Sequence, residues 1–125
     1  MTKTLLLIDD DDDIREIAQL SIELGAGWNV LSAGSGDEGL RIAREQHPDA
    51  ILLDVMMPVL DGPATLELLR GDDVTRDIPV VFLTAKARPT ERDRLAGLSV
   101  AGVLAKPFDP VNLPNQIRAV LGWSE

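Results

Sequence analysis

The chain has 125 residues, 45% of them apolar, and no cysteine. That is the length of one domain with material for a core, and it excludes disulfides, thiolate metal sites and cysteine nucleophiles. With 21 acidic against 12 basic residues the net charge is −9, which repels a phosphate backbone, and two Phe with two Trp are too few for a base-stacking platform.

No apolar run approaches the ~20 residues of a membrane helix. The short run after Met1-Thr2-Lys3-Thr4 is broken by five consecutive Asp at positions 9 to 13, too early for an export signal. The expectation is a cytoplasmic protein that binds neither nucleic acid nor membrane directly, and whose acidity suits a cation or a basic partner face.

Strand-like and helix-like patterns alternate along the chain, with turn signals every ten to fifteen residues, which predicts βαβ units around a parallel sheet. Strand one is expected at about 4–8. Helix one follows at about 13–25, with Asp12 as N-cap and Ile14, Ile17, Ala18 and Ser21 as its inner stripe. Strand two is about 28–33. Ser35 and Glu38 form a capping box for helix two, which buries Leu40 and Ala43 and runs to about Gln46. His47-Pro48-Asp49 is a surface turn into strand three.

Strand three is the centre of the chain. Ala50-Ile51-Leu52-Leu53 runs straight into Asp54, a continuous apolar run of the kind buried on both faces of a parallel sheet. Met56 and Met57 are expected to pack, Pro58 closes the segment, and Leu60-Asp61-Gly62-Pro63 turns into helix three at about 63–70, with Pro63 in its first turn and Leu66 and Leu69 inward. Strand four is about 79–83 and leads to Thr84. Helix four starts at Pro89 and stops near Gly97. Strand five, about 100–105, leads to Lys106-Pro107, and helix five is about 110–121. Five strands and five helices in strict alternation give one doubly wound sheet, with the usual order 2-1-3-4-5 and its crevice between strands one and three.

Those two strands end in Asp9-Asp10 and in Asp54. If the three carboxylates converge, each pair at ~4 Å costs about 4 kcal/mol at an effective dielectric of ~20. A hard divalent cation relieves that repulsion, and all-oxygen ligation suits Mg²⁺. With Thr84 and Lys106 added, the strand ends make a pocket for a tetrahedral dianion, in which Asp54 can serve as nucleophile and form an aspartyl phosphate. Each piece alone has a plainer reading: the Asp run as a solvated turn and cap, Thr84 as a structural residue, Lys106 as a surface lysine. The specificity lies in their joint placement.

Together, Ile8-Asp9-Asp10, Leu53-Asp54-Val55-Met56-Met57-Pro58 with Asp61-Gly62, Thr84-Ala85 and Lys106-Pro107-Phe108 resemble the receiver domain of two-component response regulators, in order and over essentially the whole chain. The resemblance implies a single CheY-like receiver domain over 1–125, with a flavodoxin-like (βα)5 fold and helices on both faces of the sheet. By the resemblance Asp54 is the phosphoacceptor. Asp10 binds Mg²⁺ directly, Asp9 binds it mainly through water, and Met56 contributes its backbone carbonyl. Thr84 matches the hydroxyl that moves onto the phosphoryl group, Lys106 the family's lysine, and Lys106-Pro107 its cis peptide.

The donor implied is a phosphohistidine on a cognate histidine kinase or phosphotransfer protein. The readout implied is a protein target on the helix four, strand five and helix five face. The chain would act as a single-domain regulator, a monomer or a weak phosphorylation-dependent homodimer, catalysing only its own phosphorylation and dephosphorylation. Two positions depart from the pattern. The switch aromatic is replaced by Val103, and the usual Gly-Ala before strand five reads Ser99-Val100. Met56 and Lys86 would flank the path of the hydrolytic water, and Met56 cannot orient a water by hydrogen bonding, so slow self-dephosphorylation is expected.

Three rivals remain. A haloacid dehalogenase type phosphatase needs a second Asp two residues after the nucleophile, where this chain has Met56. A flavodoxin-type electron carrier needs a phosphate-cradling first loop, which Asp9 to Asp13 would repel. The third rival is a receiver-like module that binds partners without phosphorylation, for which Val103 leaves room.

Overall fold

The computed structural model describes residues 2–85 and 88–124. Its elements are β1 (Thr4–Ile8), α1 (Asp12–Ala26), β2 (Asn29–Ala33), α2 (Gly36–Gln46), β3 (Ala50–Asp54), α3 (Gly62–Arg70), β4 (Val80–Thr84), α4 (Pro89–Ala96), β5 (Gly102–Ala105) and α5 (Leu113–Leu121). The five strands are parallel in the order β2-β1-β3-β4-β5.

Side chains alternate across a strand, so each strand feeds two cores. Leu5, Leu7, Leu52, Val81, Leu83 and Leu104 pack with Ala18 and Ile22 of α1 and Leu113 and Ile117 of α5. Leu6, Ile8, Ile51, Leu53, Val80 and Phe82 pack on the other face with Ala43 of α2, Leu66 and Leu69 of α3, and Leu95 of α4. The same alternation continues past the strand ends. Asp9, Asp54 and Lys106 follow the first face, and Thr84 follows the second along with Val103. The carboxylates and the lysine therefore come to one side of the sheet edge, and the hydroxyl comes to the other.

The Asp run is divided by role. Asp11, not Asp12, is the N-cap of α1: its backbone is extended, and its carboxylate accepts from the amides of Asp13 and Ile14. Asp12 and Asp13 lie in the first turn, where the helix dipole favours acids. The inner face of α1 is also rotated from the expected stripe. Ala18 and Ile22 are buried, whereas Ile17 is 46% exposed and Leu20 and Leu24 also face out. Gly27 ends α1 in the left-handed region.

The capping box at α2 forms, with one change of partner. Ser35 Oγ accepts from the Glu38 amide, and Glu38 reaches back to the amide of Gly34. His47 is an exposed left-handed C-cap, as a turn residue should be. Met57 packs as expected, but Met56 is 60% exposed. Helix five starts at Leu113, not at 110. Asp109 builds a turn over 110–112, its carboxylate taking the Val111 amide and its carbonyl the amides of Asn112 and Leu113. Pro114, rather than Pro110, is the proline of the first helical turn. Ser99, where the resemblance expects Gly, adopts φ +63°.

Candidate functional site

β1 and β3 are paired with Ile8 beside Leu53, so the residues that follow them leave the sheet together. Asp9 is fully buried. Its amide donates to the Ala33 carbonyl at 3.1 Å, and its Oδ1 accepts from the Asp11 amide at 2.9 Å. Asp54 ends β3 and is 4% exposed, while Asp10 is exposed at the mouth. Carboxylate oxygens of Asp9, Asp10 and Asp54 lie within 4.8 Å of one another.

Lys106 arrives from β5. Its amide is tied to the Thr84 carbonyl at 2.8 Å, and the Lys106-Pro107 bond is cis, as the resemblance implies. Lys106 Nζ donates to Asp54 Oδ1 at 3.0 Å and lies 2.7 Å from Asp9 Oδ2. The second contact is a close ion pair to a buried oxygen, so one ammonium balances two carboxylates.

The charges show the strain of this cluster. Burial pushes the Asp54 carboxyl up, and Lys106 pulls it back only partly against the Asp9 charge and the Asp10 carboxyl, leaving it at about 6. Burial would lower the Lys106 ammonium, but Asp9 and Asp54 outweigh it and hold it above its usual value. Three crowded carboxylates, balanced by one lysine, fit a hard divalent cation such as Mg²⁺.

Thr84 closes β4 and is buried. It lines a recess of about 530 Å³ together with Met56, Met57, Glu91 and Leu95, on the α4 side of the site. Val103 packs partly buried against the same core as Leu95. Its carbonyl accepts from Arg92 Nη2 at 3.2 Å, beside a shallower recess lined by Pro89, Arg92, Asp93 and Ala96. Lys86 lies outside the described residues.

Two residues not expected at the site, Gly62, read only as part of a turn and motif, and Arg15, help to shape it. Gly62 starts α3 so close to β3 that a Cβ there would stand 2.6 Å from the Asp54 carbonyl oxygen, and its amide donates to the Val55 carbonyl. Only glycine permits that approach, which explains Gly after the capping Asp61. Arg15 donates to the Asp9 carbonyl at 2.7 Å. The sequence signal for it was its i,i+3 spacing from Asp12, with which it also pairs.

Fold and site define a parallel α/β protein with a carboxylate and lysine pocket at the point where strand order reverses. The chain belongs to the response regulator receiver domain family, which matches residues 5–118. It is 36% identical over 95% of its length to the phosphate regulon transcriptional regulatory protein PhoB of Pseudomonas aeruginosa, covering 52% of that protein. It is 35% identical over its full length to the alkaline phosphatase synthesis transcriptional regulatory protein PhoP of Bacillus subtilis, covering 51% of that one. The chain thus spans about half the length of these curated relatives. Among solved structures, chemotaxis protein CheY4 of Vibrio cholerae superposes with a TM-score of 0.88 at 28% identity, over 96% of this chain and 99% of that one. The chain is therefore the receiver of a two-component response regulator, with the flavodoxin-like order expected from its sequence. No helix among the described residues is long and apolar enough to cross a membrane.

Proposed function

We propose that Asp54 accepts a phosphoryl group from a phosphohistidine of a sensor kinase or phosphotransfer protein in a Mg²⁺-dependent reaction. The observation that carries this reading is the convergence of Asp9, Asp10 and Asp54 within 4.8 Å, with Lys106 on two of them. The three carboxylates and the Met56 carbonyl would hold the ion, which when bound neutralises the acids and polarises a phosphoryl oxygen.

The protein's own groups supply the rest. At pH 7 an Asp54 carboxyl with a pKa of about 6 is mostly ionised and can act as nucleophile. One of its oxygens attacks phosphorus, the P–N bond of the donor breaks, and the bonding pair leaves with the imidazole, which takes a proton from solvent. Lys106 shifts from balancing the carboxylates to balancing the arriving phosphoryl oxygens, and Thr84 donates its hydroxyl to one of them. The protein then catalyses only its own phosphorylation and dephosphorylation. It passes the signal by binding a protein target on the α4, β5 and α5 face. Transcriptional control, which the names of PhoB and PhoP give to those proteins, is the alternative output. The exposed Met56 cannot orient a hydrolytic water, so the phosphoryl group is long-lived; release within seconds would remove that part of the reading.

The test is intact mass and peptide mapping after incubation with acetyl phosphate and Mg²⁺. The wild type gains one phosphoryl group on Asp54, EDTA blocks the gain, and Asp54→Asn abolishes it. No gain, or an equal gain in the variant, would replace this reading with a module that binds partners without phosphorylation.

A further inference from the structure

Arg15 stands in the second turn of α1 and reaches back over the loop that carries the acids. Its Nη1 donates to the backbone carbonyl of Asp9 at 2.7 Å, and its Nη2 pairs with the Asp12 carboxylate. The side chain is 21% exposed, against 88% for Asp12. A Cβ at Gly34 would lie 3.2 Å from Arg15 Nη1, so the guanidinium is wedged between the β1–α1 and β2–α2 loops. The planar fork serves both partners at once, which an ammonium on a flexible stem would not do.

The Asp9 peptide is consequently held from both directions. Its amide is bound to Ala33, its carbonyl to Arg15, and its carboxylate to the Asp11 amide. Asp10 sits between Asp9 and the capping residue Asp11 and inherits its direction from them. Neither Arg15 contact reaches the reacting groups, so any influence on them passes through the backbone of Asp9.

We propose that Arg15 is a positioning residue for the metal-binding acids, fixing the Asp9 carbonyl and thereby the direction in which the Asp9 and Asp10 carboxylates enter the site. The inference rests on the reading of that site as a Mg²⁺ site. Groups that orient metal ligands from outside typically change metal affinity 10–100-fold when removed. Charge alone predicts the opposite sign: deleting a cation close to a cation site should tighten Mg²⁺. The sign of the effect therefore separates positioning from electrostatics.

The experiment is calorimetric titration of the full chain with Mg²⁺, with amide exchange of the Mg²⁺-free protein as a second readout. The proteins compared are wild type, Arg15→Ala, Arg15→Gln, and Arg41→Ala as an exposed control that pairs with Glu45 on the surface of α2. Arg15→Ala is expected to bind Mg²⁺ about tenfold more weakly and to exchange faster over 10–13. Arg15→Gln, neutral but still a donor, recovers part of both, and Arg41→Ala matches the wild type. Tighter or unchanged Mg²⁺ binding in Arg15→Ala overturns the proposal. If the wild type takes no Mg²⁺, the metal reading fails by itself; faster exchange over 10–13 then sustains Arg15 as the anchor of the Asp9 loop, and unchanged exchange overturns that as well.

Discussion

The two sides of the sheet's carboxyl edge are built to different standards. On the α1 and α5 side, Asp9 and Asp54 are buried and both pair with the partly buried Lys106. Helix α1 is 15 residues long with a two-amide cap, and Ser21 Oγ ties it to the Pro110 carbonyl. On the other side α4 has eight residues, no side-chain cap bond and one buried residue, Leu95. Among the described residues Arg92 donates to the Val103 carbonyl of the edge strand, and the Glu91–Arg94 pair on the α4 surface contributes little. Elements with few buried contacts open at low free energy and are the ones recruited to move. The difference teaches that the chemistry proposed for this site would sit on a rigid floor and that Thr84 stands at its border with a weakly anchored helix.

The largest test of the rigid side is Lys106→Met. Removing the cation leaves two buried carboxylates unpaired, and without metal at pH 7 the protein should lose about 3–5 kcal/mol in urea unfolding. Added Mg²⁺ should restore much of that loss. Full stability in EDTA would break the idea of a charge-balanced floor.

Next is a pH effect with a defined sign. A carboxyl raised from 3.8 to about 6 binds more protons folded than unfolded between those values. Stability from Asp54 is therefore greatest below pH 4, falls as pH rises towards 6 and levels off above it, by about 3 kcal/mol in all. The difference between wild type and Asp54→Asn in EDTA isolates this slope, and a difference that rises with pH would contradict it.

On the weak side, Leu95→Ala should cost about 2–3 kcal/mol, the low end for a buried leucine, because a helix with so few contacts can settle into the space. Phosphorylation by acetyl phosphate should survive it, which separates the two regions. The smallest effect is at Ser99, held at φ +63°. Ser99→Gly relieves a left-handed residue and should gain about 1 kcal/mol, seen as a rise in Tm of several degrees.

The sequence made this architecture legible because the strands are unbroken apolar runs and the chemistry sits where those runs stop. Asp9, Asp10, Asp54, Thr84 and Lys106 could each be placed by counting from a strand end. What was not legible depends on backbone geometry. Five identical acids do not say which one caps; the cap is Asp11, whose extended backbone leads into the helix and whose carboxylate accepts two first-turn amides. Pro110 and Pro114 are both acceptable in a first turn, and the Asp109 turn decides between them. Helix α1 has apolar residues on more than one face, so the expected stripe took in Ile17, which is exposed, and left out Ile22, which is buried. Arg15 and Gly62 act through backbone carbonyls, and neither residue type announces that.

The central claim is that a rigid acid floor is joined at Thr84 to a weakly held α4, and amide hydrogen exchange with and without phosphorylation of Asp54 tests it most directly. The account predicts that exchange changes over α4 and β5 while the first turns of α1 and β3 keep their protection. A change of similar size across both sides, or one confined to α1, would contradict it.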